Sequence, residues 1–179
     1  MNDKLEEFIT HVARPYLEDI FDNFLDNPPI IDFQKAFEQI NEFRNSKKTE
    51  DFEISYISFT LLRSNLLYGN PIYEIHVYDD DWYLNHFLEI GEIDVSSIFG
   101  WIEETKKYLW AEAKKYVGKI NIAEVENYIS KSLNDFELFF ISAFQNYNID
   151  NNHDFTIYTG ELYDTMHILY LHPSRRLSL

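Results

Sequence analysis

Apolar residues recur at helical spacing from the start of the chain. Leu5, Phe8, Ile9, Val12, Tyr16, Leu17, Ile20, Phe21, Phe24 and Leu25 form one stripe, with Asn2 or Asp3 placed to cap it. Pro15 falls inside the stripe. A proline within a regular helix removes a backbone hydrogen bond and costs about 3 kcal/mol, so a kink or two short helices are expected near Ala13–Pro15. Asn27-Pro28-Pro29 ends this segment. Asp32 then caps a second helix whose buried face is Phe33, Ala36, Phe37, Ile40 and Phe43.

The period changes after residue 50. The run DFEISYISFTLL (51–62) is rich in β-branched and aromatic residues. Phe52, Ile54 and Tyr56 share one parity, and Ile57, Phe59 and Leu61 share the other. That predicts a bulge near Tyr56 or a strand buried on both faces. Gly69-Asn70-Pro71 marks a turn, and Ile72–Tyr78 reads as the returning antiparallel strand. Trp82-Tyr83-Leu84 is a candidate third strand. Helical spacing resumes at Ser96 or Ser97 and runs to Gly118, a natural C-cap. Asn121 and Glu124 form a capping-box pattern that opens another helix, with a break expected near Asn134-Asp135. Strand-like patterning returns in Phe155–Tyr158 and Met166–Leu171, with Thr159-Gly160-Glu161 as the expected turn.

These elements predict one α+β domain. About four to five amphipathic helices pack on a mostly antiparallel sheet of about four strands in two hairpins. The expected organisation is helical over 1–48, a hairpin over 51–84, helical over 96–148, a C-terminal hairpin over 154–171 and a frayed tail over 173–179.

Composition narrows the function classes. The chain has 179 residues, 45% of them hydrophobic and 17% aromatic, which supports a packed core and not a disordered segment. The absence of cysteine excludes disulfides, thiolate metal sites and cysteine nucleophiles. The opening residues place Asp3, Glu6 and Glu7 among short apolar pieces, unlike a secretory leader. No run approaches the ~18 apolar residues that span a bilayer. The expectation is a soluble cytoplasmic protein with no membrane partner.

Charge changes the picture most. The net charge is −16, which disfavours nucleic acid as a partner because its phosphates would be repelled. The acids are also concentrated. Between Thr49 and Thr105 stand Glu50, Asp51, Glu53, Glu74, Asp79, Asp80, Asp81, Glu89, Glu92, Asp94, Glu103 and Glu104, with Arg63 as the single lysine or arginine. Lys106, Lys107, Lys114, Lys115, Lys119 and Lys131 all come later.

Catalytic and cofactor motifs are sparse. The five glycines are scattered, with no GxGxxG or GxxxxGK[ST] and no GxSxG elbow. The histidines show no HExxH spacing, and His76 and His167, in strands, read as satisfied or surface imidazoles and not as ligands. Asp79-Asp80-Asp81 reads as an acidic turn, since consecutive carboxylates do not converge on one ion. No cofactor or metal is called for on these patterns. Arg63 reads as a structural ion pair or an anion contact.

The leading expectation is therefore a small binding protein of the inhibitor or immunity type. Its acidic, aromatic-rich face would comprise Glu74, Tyr78, Asp79, Asp80, Asp81, Trp82, Tyr83, Glu89 and Glu92, and its partner would be a basic protein. The alternatives are a hydrolase-like enzyme built from Asp80, His76 and Arg63, and a homodimer that buries the Tyr/Trp-rich strand edge.

Overall fold

A computed structural model describes residues 3–46, 52–81, 87–116, 118–148, 154–161 and 166–172. The chain opens with α1 (Asp3–Phe8), passes through a π-helical turn (Ile9–Ala13) and continues as α2 (Arg14–Asp26). This is the interruption that Pro15 predicts, a change of helix type between two helical segments. The wider turn lets Pro15 enter at the start of a new helix, where its missing N–H is tolerated. Then follow α3 (Phe33–Ser46), β1 (Tyr56–Leu61), α4 (Arg63–Leu67), β2 (Ile72–Tyr78) and β3 (Leu88–Asp94). The second half comprises α5 (Ser96–Phe99), α6 (Ile102–Ala113), a 3₁₀ turn (Lys114–Tyr116), α7 (Ile122–Asn146), β4 (Thr156–Glu161) and β5 (Met166–Tyr170). No described helix is long and apolar enough to cross a membrane.

The local signals behave as the sequence implies. The Asp32 carboxylate accepts from the Lys35 N–H at 3.0 Å. Asn121 and Glu124 close a reciprocal capping box. Gly118 takes the left-handed conformation, φ +69°, but the single helix expected from Ser96 to Gly118 is divided into α5 and α6, and α6 ends at Ala113 with Lys114 as its C-cap. The expected break at Asn134-Asp135 is absent. α7 runs through it, and Ser132 bonds back to the Tyr128 carbonyl at 3.1 Å instead of capping a new helix.

Strands assemble into one α+β sheet in the order β3-β2-β1-β4-β5. Three of the four pairings are antiparallel, and the central β1–β4 pair is parallel with Ile57 opposite Ile157. The sheet therefore has five strands where about four were expected, and its two hairpins join through β1 and β4. β3 was not foreseen, because LEIGEID mixes acids and a glycine. The Trp82–Leu84 candidate lies outside the described residues. Thr159-Gly160-Glu161 belongs to β4 and is not a turn. β1 is buried on both faces, while register shifts fall in the β2–β3 ladder between Ile75 and His76 and in the β4–β5 ladder between Ile157 and Tyr158.

Helices cover one face of this sheet. Tyr73 stacks on Phe140 of α7 with ring centroids 4.2 Å apart, and Phe33 of α3 meets Phe59, Phe140 and Phe144. α2 packs on a neighbouring side of α7 through Phe21 and Phe24 against Phe136 and Phe139. The core is one contiguous cluster dominated by these rings. Burying a large apolar side chain contributes about 1.5–3 kcal/mol.

Candidate functional site

Alternation along the strands assigns side chains to faces. Ile57, Phe59, Leu61, Tyr73, Ile75 and Val77 point to the helices. Ser58 and Thr60 of β1, Glu74, His76 and Tyr78 of β2, and Glu89 and Glu92 of β3 belong to the opposite, polar face. The register sets Glu74 against Glu92 and His76 against Glu89. The β2–β3 bulge makes the second pairing possible, since it absorbs Ile90 and keeps Glu89 and Glu92 on the same face.

A hydrogen-bonded chain crosses the polar face. His76 is fully buried, with Phe87 stacked on its ring at 4.0 Å. Its Nε2 lies 3.0 Å from Glu74 Oε2 and its Nδ1 lies 3.2 Å from the Thr60 hydroxyl. Ser58 lies 2.8 Å from Thr60, and the Tyr78 hydroxyl lies 3.4 Å from Ser58. Burial pushes the imidazole down to about 4, against the opposing pull of Glu89. The ring is thus neutral at pH 7. A carboxylate only accepts, so Nε2–H donates to Glu74, Nδ1 accepts from Thr60, and Ser58 and Tyr78 donate in turn. Glu74 is shifted upward, chiefly by burial and then by the Glu92 charge, with an Asn65 hydrogen bond acting the other way. Ser58 and Thr60 are fully buried, so neither hydroxyl is presented to a substrate as a nucleophile.

The anticipated face is assembled in part. Glu74, Glu89 and Glu92 come together on adjacent strands. No salt bridge among the described residues reaches Glu89 or Glu92 from a lysine or arginine. Asp79, Asp80 and Asp81 follow β2 in a turn. Asp79 accepts from the Asp81 N–H at 3.0 Å, and Asp80 accepts from the Ser55 hydroxyl at 2.6 Å. Tyr78 is only 5% exposed and lies within the hydrogen-bonded chain, so its ring is not displayed as an anchor. Trp82 and Tyr83 lie outside the described residues. Tyr56 and Tyr158, half-buried on the same face with ring centroids 6.2 Å apart, supply aromatic surface that period-2 reading alone did not single out.

Arg63 sits elsewhere. Its guanidinium donates to Glu161 and Asn134, and to the Ser130 carbonyl at 3.2 Å, clamping α7 to the end of β4. That is the structural ion pair. Arg63 follows β1 at one end of the β1–β2 pair, and Asp80 follows β2 at the other. The strand length between them, about 20 Å, keeps Asp80, His76 and Arg63 from forming one site.

Sequence reasoning passed over Glu137. It lies on the sheet-facing side of α7, 9% exposed, and its Oε1 has no hydrogen-bond partner among the described residues. The Tyr73 and Thr159 hydroxyls are buried too and likewise have no hydrogen-bond partner among the described residues. Burial raises the Glu137 carboxyl, with Glu161 adding to the shift and His167 and Arg63 opposing it. Its signal in the sequence is one acid within the apolar stripe of α7. Two grooves lie on the helical side. One of about 360 Å³ is lined by α2 and α7, and another of about 330 Å³ borders Pro28–Ile31 and the end of α7. Neither is lined by a residue of the polar sheet face named above.

No family model, no curated protein and no solved structure matches this chain.

Proposed function

We propose that this chain is an acidic binding module that docks on a basic protein through the polar face of its sheet, in the manner of an inhibitor or immunity protein masking a cationic toxin or nuclease. The observation that carries the reading is the convergence of Glu74, Glu89 and Glu92 on adjacent strands, with Glu89 and Glu92 unpaired by lysine or arginine among the described residues. Like charges held opposite each other weaken the sheet, by a few tenths of a kcal/mol to about 1 kcal/mol per pair. A cationic partner would relieve that repulsion. Acidic faces of this kind steer encounter, raising association rates toward ~10⁸ M⁻¹s⁻¹ at low salt. Tyr56 and Tyr158 provide adjoining aromatic surface.

The test is capture at low salt on the immobilised chain, beside a variant carrying Glu74→Gln, Glu89→Gln and Glu92→Gln. The expected outcome is a basic protein retained by the unaltered chain and released by raised salt. Its association with the triple variant should be about tenfold slower and less salt-dependent. A partner whose association rate and salt response are the same for both proteins defeats the reading.

A further inference from the structure

The polar face also holds a mixed donor set. One nitrogen of His76 and one carboxylate oxygen each of Glu74 and Glu89 lie within 4.8 Å of one another. We propose that Glu74, His76 and Glu89 form a binding site for a borderline divalent transition ion, Zn²⁺ in its simplest form.

Three features point to a cation and to this class of cation. First, the spacing is close to what an ion requires. Zinc holds nitrogen and oxygen ligands at about 2.0–2.2 Å, which places neighbouring donors roughly 3.4 Å apart in a tetrahedral site. His76 Nε2 and Glu74 Oε2 already stand 3.0 Å apart. The Glu89 carboxylate, on an exposed side chain, has to close by at most about 1.4 Å.

Second, the imidazole is held as a ligand would be. Phe87 covers its ring, Thr60 engages Nδ1, Nε2 faces Glu74 at 3.0 Å, and a ring nitrogen and a Glu89 oxygen lie within 4.8 Å of each other. Engagement of the far nitrogen is the usual outer-shell support of a metal-bound histidine. The hydroxyl chain accommodates either tautomer. With Nε2 bound to the ion, the ring hydrogen sits on Nδ1 and is donated to Thr60. The Thr60 and Ser58 hydroxyls then rotate to donate the other way along the chain.

Third, the donor types select the ion. Two carboxylates alone would suit Mg²⁺ or Ca²⁺, whereas imidazole favours zinc and its neighbours. Glu92, opposite Glu74, adds negative charge beside the set without being needed as a ligand. Three protein donors leave a further position open to water or to an incoming group. The site shares Glu74 and Glu89 with the proposed docking face, but zinc binding needs no protein partner and is tested without one.

The experiment is calorimetric titration of the full chain with ZnCl₂, with MgCl₂ as the comparison, on the unaltered protein, Glu89→Gln and His76→Gln. Long-range ¹H–¹⁵N spectra report the His76 tautomer in parallel. The expected result is one Zn²⁺ per chain, little response to Mg²⁺, and affinity at least about tenfold weaker in Glu89→Gln. The His76 signal should move from the Nε2–H to the Nδ1–H form as zinc is added. Glu89 is exposed, so its variant keeps the fold and decides the matter even where His76→Gln does not fold. The proposal is overturned by an absence of stoichiometric binding, by equal binding to Glu89→Gln, or by a His76 tautomer that zinc leaves unchanged.

Discussion

Glu137 sits where the α7 stripe otherwise supplies Leu133, Phe136, Phe140 and Phe144, and it brings a carboxylate to the inner face of the sheet. Taking a charge out of water is costly unless it is paired, and burial accordingly raises this carboxyl above its ordinary value of 4.5. The sign of the pH effect follows. The folded chain holds the Glu137 proton more firmly than the unfolded chain. Its contribution to stability is complete below about pH 4.5 and is lost as pH rises through the folded value. Glu137→Gln removes the ionisation. The variant should be more stable than the unaltered chain at pH 7 to 8 and lose less stability between about pH 4.5 and 8. Denaturant midpoints across that range are the measurement, and a variant that is less stable at pH 8 would show that the ionised carboxylate is well satisfied.

At the scale of elements, the outer edge of β3 carries its own protection. The Gln39 side chain of α3 donates to the Glu92 carbonyl at 3.1 Å and accepts from the Glu92 N–H at 3.2 Å, filling ladder positions that a further strand would take. Gly91 makes room for it, because a Cβ there would stand 1.8 Å from Gln39 Oε1. Gly91→Ala should therefore expel the amide. Two hydrogen bonds at about 1 kcal/mol each suggest a loss of roughly 1–2 kcal/mol, and the opened edge should promote self-association. Thermal melts and sedimentation at several concentrations would test this, with Gln39→Ala as the matching control. A melting temperature and a sedimentation profile both unchanged in Gly91→Ala would mean the clip contributes nothing. At the opposite edge β5 is short, with Ile168 52% exposed.

The whole molecule segregates its chemistry by face. Rings from α2, α3 and α7 make the core on one side of the sheet, and acids gather on the other. A net charge of −16 on a chain of this size carries self-repulsion that salt should screen. The melting temperature should rise as NaCl goes from about 20 mM to about 500 mM, where the screening length drops below about 5 Å. A melting temperature that falls with salt would mean that favourable pairs, such as Arg44–Asp154 at 2.6 Å, outweigh the repulsion.

Much of the architecture is legible in short windows of the chain. The stripes of α2, α3 and α7, the Asp32 cap, the Asn121–Glu124 box and the interruption at Pro15 depend on residues within a turn or two of one another. So does the density of acids around β2 and β3, which follows from composition. Only tertiary structure decides that β1 lies parallel to β4, with Tyr56 meeting Thr156, a partner 100 positions away. It also decides that LEIGEID becomes a strand beside β2, that α7 continues past Asn134, that Arg63 is spent on Glu161, and that His76 faces both Glu74 and Glu89. The physical reason is range. A cap or a stripe is settled by bonds that close within about four residues, whereas strand neighbours are chosen by which apolar faces best exclude water together, a property no local segment contains.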